Sequence, residues 1–195
     1  MDINTLFRPE LLQVQDFVRA AYVVLDANFP PGVLGSVVEM AREAGCKGAL
    51  YAVVLDPTSY AKAAKCLEVL EKVWMVTPDR HEIRKLAGEE EEEGIEGVKQ
   101  AAERLLQRFS GLQYVLCKVD IDGVILVSRA GVEHFPAFPV ASVVNVSGAG
   151  DCLVGTLVSA LTKGKSLTEA VQIGLQAAAL SIQANETVPE SLRSL

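Results

Sequence analysis

Short β-branched runs alternate with longer stretches of helical periodicity along this chain of 195 residues. The first run lies at residues 22–26 (YVVLD). A set of apolar residues then shares one helical face: Leu34, Val37, Val38 and Ala41. Strand–helix alternation predicts an α/β fold, a parallel sheet with helices on both faces and right-handed crossovers. Ligands of such sheets bind beyond the carboxyl ends of the strands, so the loops that follow strands are the informative positions.

The rest of the chain continues the alternation. Further strands are predicted at residues 49–55, 73–76, 114–119, 124–128 and 132–138, and further helices at residues 60–70, 79–87, 95–109, 149–163 and 167–183. The strands on either side of Asp120-Ile121-Asp122-Gly123 predict a hairpin. Five consecutive acids at residues 89–93 predict a solvated loop or helix end. With no internal repeat or flexible linker in the sequence, residues 1–195 are expected to form one domain.

Composition excludes several classes of protein. Half of the residues are hydrophobic and the net charge is −7, without a Lys/Arg-rich stripe, which argues against nucleic-acid binding. The cysteines are widely spaced (Cys46, Cys66, Cys117 and Cys152), which disfavours a zinc site and fits reduced thiols. No apolar run approaches the roughly 20 residues of a membrane span, and the first residues do not form a signal peptide. A cytoplasmic location without a membrane partner is therefore expected.

The segment at residues 143–154 (VVNVSGAGDCLV) places small residues directly before an apolar helix. Glycines there allow backbone N–H groups to converge at the helix start, where the positive end of the dipole favours an anion. Asp151, in the first turn, could accept a proton from a hydroxyl that attacks a phosphate held there. The alternative is a capped helix, with Ser147 as the N-cap and Asp151 favourable to the dipole. The residues alone leave both interpretations open.

Two common nucleotide-binding motifs are absent from the sequence. A dinucleotide-binding GxGxxG would need glycine at position 153, which is Leu153. A Walker A loop ending at residues 164–166 (GKS) would need glycine at position 159, which is Ser159. The glycine-rich segment before Asp151 therefore belongs to neither class.

Residues 145–151 (NVSGAGD) instead resemble the second signature of the PfkB/ribokinase family of carbohydrate kinases, usually (D/N)-T-x-G-A-G-D. Residues 77–82 (TPDRHE) are similar to the T-P-N-x-x-E of the same family. Further matches follow the family order at residues 26–28, 56–57, 176–179 and 185–189. The resemblance therefore runs over almost the whole chain.

The resemblance implies an ATP- and Mg²⁺-dependent kinase that phosphorylates a hydroxyl of a small-molecule sugar or nucleoside. It makes Asp151 the catalytic base and the backbone amides of Gly148, Ala149 and Gly150 the anion hole. Within the family, the Glu186-Thr187-Val188-Pro189 tail is most similar to pseudouridine kinases, so pseudouridine is the preferred substrate.

The resemblance also supplies candidates for the metal and the nucleotide. Glu82 and Asp79 would organise the Mg²⁺–phosphate region, although the family usually has asparagine where Asp79 stands. The expected nucleotide-binding residues are Lys118, Asp120, Gly123 and Gln176. Many members have T-x-G where this chain has Lys118-Val119-Asp120, so Asp120 replaces a loop glycine.

Full PfkB kinases are markedly longer, and their amino-terminal portion carries much of the sugar site and a small β lid. The expected fold is therefore a ribokinase-like core that lacks the amino-terminal part and the lid, a single truncated kinase domain. An unpaired sheet edge in such a core predicts self-association, with a homodimer as the expected form. The alternative function is a catalytically impaired nucleotide-binding remnant or truncated isoform that acts as a binding or regulatory protein. A purely structural α/β protein would require the GAGD resemblance to be accidental.

Overall fold

The computed structural model describes residues 9–45, 52–88 and 94–195. The chain forms two compact units, Met1–Cys117 with Ile125–Glu133 and Lys118–Val124 with His134–Leu195. The predicted acidic loop at residues 89–93 and Cys46 lie outside the described residues. Among the helices of the described ranges, none is long and apolar enough to cross a bilayer.

The described residues form the predicted α/β fold. The strands are β1 (Tyr22–Asp26), β2 (Ala52–Asp56), β3 (Met75–Val76), β4 (Tyr114–Lys118), β5 (Val124–Ser128) and β6 (Gly131–Phe135). The helices are α1 (Pro31–Gly45), α2 (Tyr60–Cys66), α3 (Arg80–Ala87), α4 (Gly94–Arg108), α5 (Ala149–Thr162) and α6 (Leu167–Ser181). The strands make one six-stranded sheet in the order β1-β2-β3-β4-β5-β6.

The first four strands pair in parallel, as the alternation predicts. Asp26 and Asp56 are partners in register, and each is the last residue of its strand. Strand β2 is buried at Val53, Val54 and Leu55, because a central parallel strand is covered on both of its faces. The register therefore brings two carboxylates to the same edge of the sheet.

The two edges of the parallel sheet differ in chemistry. At the amino ends of the strands, the Trp74 ring lies between the rings of Tyr22 and Tyr114, with centroid separations of 5.7 and 5.1 Å. At the carboxyl ends, Asp56 accepts a hydrogen bond from the Thr77 hydroxyl at 2.9 Å. Aromatic packing stabilises the first edge, and the second carries the polar groups, as expected for the ligand-binding edge of such a sheet.

Several predicted elements are shorter in the structure. The strand predicted at residues 132–138 ends at Phe135, and the helix predicted at residues 167–183 ends at Ser181. The helix predicted at residues 60–70 ends at Cys66 and gives way to a 3-10 turn at Leu70–Lys72. Val73, predicted to open a strand, instead terminates that turn, so β3 begins at Met75. The reason is that Cys66, Leu70 and Val73 are all buried at the spacing of one face of an α-helix, so the apolar pattern continues although the helix itself ends at Cys66.

Arg129 joins the end of α4 to the sheet. Its guanidinium donates to the carbonyls of Leu106, Phe109, Ser110 and Leu112 at 2.7–3.2 Å. These acceptors include carbonyls at the end of α4, where a helix has no intrahelical donors and where a positive charge is favourable.

Replacing Arg129 with alanine is expected to lower the free energy of unfolding by about 2–3 kcal/mol, because several carbonyls lose a charged donor together. Arg193→Ala is the control, since Arg193 pairs with Glu190 at 3.1 Å while both side chains are more than 80% exposed. Exposed pairs contribute about 0–1 kcal/mol. Urea denaturation followed by circular dichroism measures both variants. Equal losses would contradict the role given to Arg129.

In the second unit, α5 packs against α6. A methyl group on Gly174 of α6 would lie 2.8 Å from the Leu153 carbonyl oxygen and 3.3 Å from Leu157 Cβ, both on α5. Only glycine therefore permits this close approach of the two helices. The contact fixes α5, and with it the turn at its amino end, against α6.

Candidate functional site

The candidate site is centred on the first turn of α5. Gly148 is the N-cap, in the left-handed conformation at φ 80° and ψ 0°, and no side chain caps the helix there. The prediction of Ser147 as N-cap is therefore wrong: the cap position falls one residue later, on the residue that can adopt a positive φ without strain. A helix start capped by glycine leaves its first-turn N–H groups without a side-chain acceptor, which suits an external anion.

The loop before this turn is held by hydrogen bonds. The N–H groups of Val144 and Asn145 both donate to the Ile182 carbonyl, at 2.7 and 3.2 Å. The Asn145 side-chain oxygen accepts from the Ser147 N–H at 3.0 Å. The Ala149 N–H donates to the Val146 carbonyl at 3.3 Å, so one of the three predicted anion-hole amides has a long bond within the loop. The turn is therefore fixed before any ligand arrives.

Lys118, the last residue of β4, lies beside the turn. A methyl group on Gly150 would be 3.5 Å from both Cδ and Nζ of Lys118. The ammonium group and the helix start thus converge on the same place, and both favour an anion. Lys118 and Gly150, predicted separately as nucleotide and anion-hole residues, are neighbours in the structure.

The turn after β4 has two residues with positive φ, a backbone conformation that glycine adopts most readily. Asp120 has φ 55°, the left-handed conformation that aspartate tolerates better than most residues. Gly123 has φ 90°, and a methyl group there would lie 2.1 Å from the Phe135 carbonyl oxygen. Asp120 therefore keeps the backbone conformation that a glycine would supply.

Asp151 is exposed on the first turn of α5 and lines an open cleft of about 710 Å³. Thr156 on α5 and Glu186, Val188 and Arg193 of the carboxy-terminal segment contribute to the walls. A cleft of this size is within the range of small-molecule sites. The carboxylate can therefore be reached by an acceptor molecule from solvent.

Gln176 lines a second cleft in the same unit, of about 630 Å³, between α6 and the chain that follows β6. Phe135, Phe138, Ile173 and Gln172 also line it. Aromatic and aliphatic walls with side-chain amides suit a planar, hydrogen-bonding ligand.

Asp79 and Glu82 cap α3 in the first unit. The Asp79 carboxylate accepts from the N–H groups of His81 and Glu82 at 2.8 and 2.7 Å. Glu82 is 3% exposed, and its carboxylate accepts from the Asp79 N–H at 2.8 Å. This reciprocal capping box is the structural role that two acids at a helix start often have. A role in Mg²⁺ binding stays a prediction.

The neighbourhood of Glu82 also contains Asp56 and a buried thiol. Burial, together with the negative charges of Asp56 and Glu82, raises the pKa of Cys66 to about 12. A thiol held neutral at physiological pH is a poor nucleophile and a poor metal ligand. Cys66, Cys117 and Cys152 form no disulfide, and within the described ranges no group of three acids, cysteines or histidines could hold a metal ion.

The predicted residues thus fall into two sets. The second unit contains Asp151, Lys118, Gln176 and the turn at residues 148–150, which we call the anion-hole turn. The first unit contains Asp79 and Glu82. Sequence reasoning missed Thr187 and Ser181, whose contacts with the turn are given below. A serine in the otherwise apolar end of α6 was the available signal for Ser181.

Comparison with known proteins identifies the class. The family model of the pfkB family carbohydrate kinases matches residues 2–193, so the chain belongs to that family. The bifunctional protein HldE of Paramagnetospirillum magneticum is 32% identical over 189 residues, which cover 92% of this chain and 36% of HldE. Ribokinase from Thermotoga maritima has a similar structure, with a TM-score of 0.78 and 27% identity over 98% of this chain and 61% of the ribokinase.

The pseudouridine kinase of Arabidopsis thaliana is a more distant relative. It is 21% identical over 253 residues, which cover 98% of this chain and 65% of the kinase. HldE is more similar, so the resemblance of the tail to pseudouridine kinases does not single out a substrate. The chain spans about a third of the length of HldE and less than two thirds of the other two proteins.

Proposed function

We propose that the protein is an ATP-dependent kinase that transfers the γ-phosphoryl group to a hydroxyl of a sugar or nucleoside. The observation that carries this proposal is the first turn of α5. There, a glycine-capped helix start, the Lys118 ammonium and the exposed Asp151 carboxylate lie within one unit. Membership of a carbohydrate-kinase family supports the same reaction class.

Each of these groups has a chemical task. Asp151 accepts the proton of the attacking hydroxyl, which makes the oxygen a better nucleophile. The amides of residues 148–150 stabilise the negative charge that the transferred phosphoryl group carries in the transition state. Lys118 adds a positive point charge to that anion. Phosphoryl transfer asks a protein mainly for positioning and electrostatic stabilisation, and this turn offers both.

The base of the nucleotide is assigned to the cleft that Gln176 lines. Phe135 and Phe138 offer aromatic surface for a planar ring, and the Gln172 and Gln176 amides offer hydrogen bonds to its edge. The turn at Asp120 and Gly123 lies in the same unit and is the proposed contact for the rest of the nucleotide.

Magnesium is the expected metal of the reaction. Mg²⁺ is usually bound by one or two carboxylates together with substrate phosphates and water, so Asp79 and Glu82 would be sufficient protein donors. When bound, Mg²⁺ neutralises phosphate charge. Family resemblance supports a position of these two acids beside the metal. Their capping box would hold both carboxylates in place without a metal ion.

Pseudouridine stays the preferred acceptor, followed by other hydroxyl-bearing sugars. The test is incubation of the purified chain with Mg-ATP and each candidate acceptor, with ADP release and phosphorylated product measured together. Acceptor-dependent ADP release supports the kinase. Failure of ATP and ADP to bind at millimolar concentration would overturn it. Light scattering on the same sample tests the predicted self-association.

The alternative function is a nucleotide-binding protein that does not catalyse. The observations that favour it are the Ala149 N–H, which is bonded within the loop, and the carboxylates of Asp79 and Glu82, which accept backbone hydrogen bonds. ADP binding without turnover of any acceptor would select this alternative.

Lys118→Met is expected to weaken ADP binding by about tenfold or more, because a charged hydrogen bond to phosphate contributes about 1.5–3 kcal/mol. Methionine keeps the length of the side chain and removes the charge. Lys163→Met, at the exposed carboxyl end of α5, is the matched control. Isothermal titration calorimetry gives both dissociation constants. Equal affinity of Lys118→Met and the unmodified protein would remove Lys118 from the site.

A further inference from the structure

Thr187, which none of the predicted roles includes, lies directly against the N-cap of α5. A methyl group on Gly148 would be only 2.1 Å from Thr187 Cγ2 and 3.3 Å from the Thr187 carbonyl oxygen. The Thr187 methyl group therefore occupies the space that any side chain at position 148 would need. Thr187 and the anion-hole turn are packed in direct contact.

Two side chains hold the Thr187 carbonyl in this position. The Ser181 hydroxyl, on the last residue of α6, donates to it at 3.1 Å. The Cys152 thiol, in the first turn of α5, donates to it at 3.3 Å. We call Cys152, Ser181 and Thr187 the clasp. It connects the start of α5 with the end of α6 through a single carbonyl oxygen.

The Ser181 hydroxyl lies in apolar surroundings. Ser181 is 1% exposed, and the other buried residues of α6 are Ala170, Val171, Gly174, Leu175 and Ala177. A buried hydroxyl is unfavourable unless it forms a hydrogen bond. Its bond to Thr187 meets that requirement outside the helix, so Ser181 is placed to hold this segment.

A second attachment lies on the other side of the turn. The Ile182 carbonyl, one residue beyond Ser181, accepts from the N–H groups of Val144 and Asn145. The end of α6 thus has two attachments. Ile182 binds the chain that precedes the anion-hole turn, and Ser181 binds Thr187, which packs against Gly148 of the turn. Both attachments begin at neighbouring residues, the last residue of α6 and its C-cap.

We propose that Ser181 is a positioning residue for the anion hole, acting through the Thr187 carbonyl. The inference rests on the proposed kinase function and identifies how the site is kept in shape. Donors that stabilise a transition state must be fixed before the reaction, because reorganising them during it costs rate. Loosening the clasp should therefore lower kcat and leave the KM for ATP nearly unchanged, since ground-state binding depends less on the donor geometry.

Ser181→Ala removes the hydroxyl donor with little change in volume. Its kcat is expected to fall by about tenfold, less than the hundredfold or more that follows loss of a whole oxyanion-hole donor. The KM for ATP is expected to stay within about twofold. Ser159→Ala, an exposed serine of α5, is the matched control, and its kcat should be unchanged. Ser181→Cys keeps a weak donor and should recover part of the loss.

Amide hydrogen exchange gives a readout that does not depend on catalysis. In Ser181→Ala, the amides of Ala149 and Cys152, which are hydrogen-bonded within the turn, should exchange at least about tenfold faster, while those of α4 should exchange as in the unmodified protein. Unchanged exchange at both of these amides, or equal acceleration in α4, would overturn the positioning role. If the unmodified protein shows no kinase activity, the proposed function fails, and the exchange measurement still decides the clasp.

Discussion

Asp151→Asn is expected to lower the rate of phosphoryl transfer by about a thousandfold, because removal of a general base costs about 10²–10⁴ in rate. Asparagine has nearly the same shape as aspartate but cannot accept a proton at neutral pH. Asp151 is exposed on the first turn of α5, so the substitution leaves the core and the Gly148 cap unchanged. Binding of ADP should stay within about threefold of the unmodified protein, since the proposed role of the carboxylate concerns the acceptor hydroxyl.

Asp16→Asn makes the same chemical change at an exposed position of the first unit and should keep full activity. Single-turnover kinetics with saturating Mg-ATP separate the chemical step from product release. A kcat for Asp151→Asn within tenfold of the unmodified protein would exclude Asp151 as the base. An unmodified protein that binds ADP and phosphorylates no acceptor would instead favour the nucleotide-binding alternative.

Strand–helix alternation was sufficient to predict the fold because a buried parallel strand and an amphipathic helix have different apolar patterns. Strand β1 coincides with its prediction at residues 22–26, and α1 buries the predicted apolar face, including Val38 and Ala41. The pattern failed where a helical spacing of buried residues continues past the end of a helix. Cys66, Leu70 and Val73 are all buried, and the chain there is partly a 3-10 turn rather than a continuous helix.

The anion-hole turn was predictable only in part. Glycines followed by an acid before an apolar helix predict a helix start that favours an anion, and the structure has that helix start at Gly148. The sequence could not predict that Lys118 would lie beside Gly150, because that contact depends on where β4 ends relative to α5. The contacts of the clasp could not be predicted either, because Cys152 and Thr187 are separated by 35 positions in the sequence.

Asp120 departs from the family pattern at a position where the backbone has a positive φ. The family resemblance places a glycine at this position, and glycine is the usual residue at positive φ. Asp120 nevertheless has φ 55°, and the Gly123 N–H donates to its carbonyl at 3.1 Å, which closes the turn. Aspartate tolerates this left-handed conformation at a small conformational cost.

Gly148→Ala is expected to lower kcat by about a hundredfold or more, because it displaces the amides of the anion hole. An alanine at φ 80° is itself unfavourable by about 1–2 kcal/mol. Its methyl group would also lie 2.1 Å from Thr187 Cγ2, so Thr187 or the turn must move. Overpacking of this kind costs about 1–3 kcal/mol more, which should appear in the free energy of unfolding.

Gly164→Ala separates the two causes. Gly164 follows α5 and has φ 81°, almost the value at Gly148, but a methyl group there would have no neighbour within 4 Å. Both variants carry the same backbone strain, and only Gly148→Ala collides with Thr187. Gly164→Ala should therefore be destabilised by about 1–2 kcal/mol and keep its kcat. If both variants lost activity to the same extent, general destabilisation would explain the loss, and the contact between Gly148 and Thr187 would have no part in catalysis.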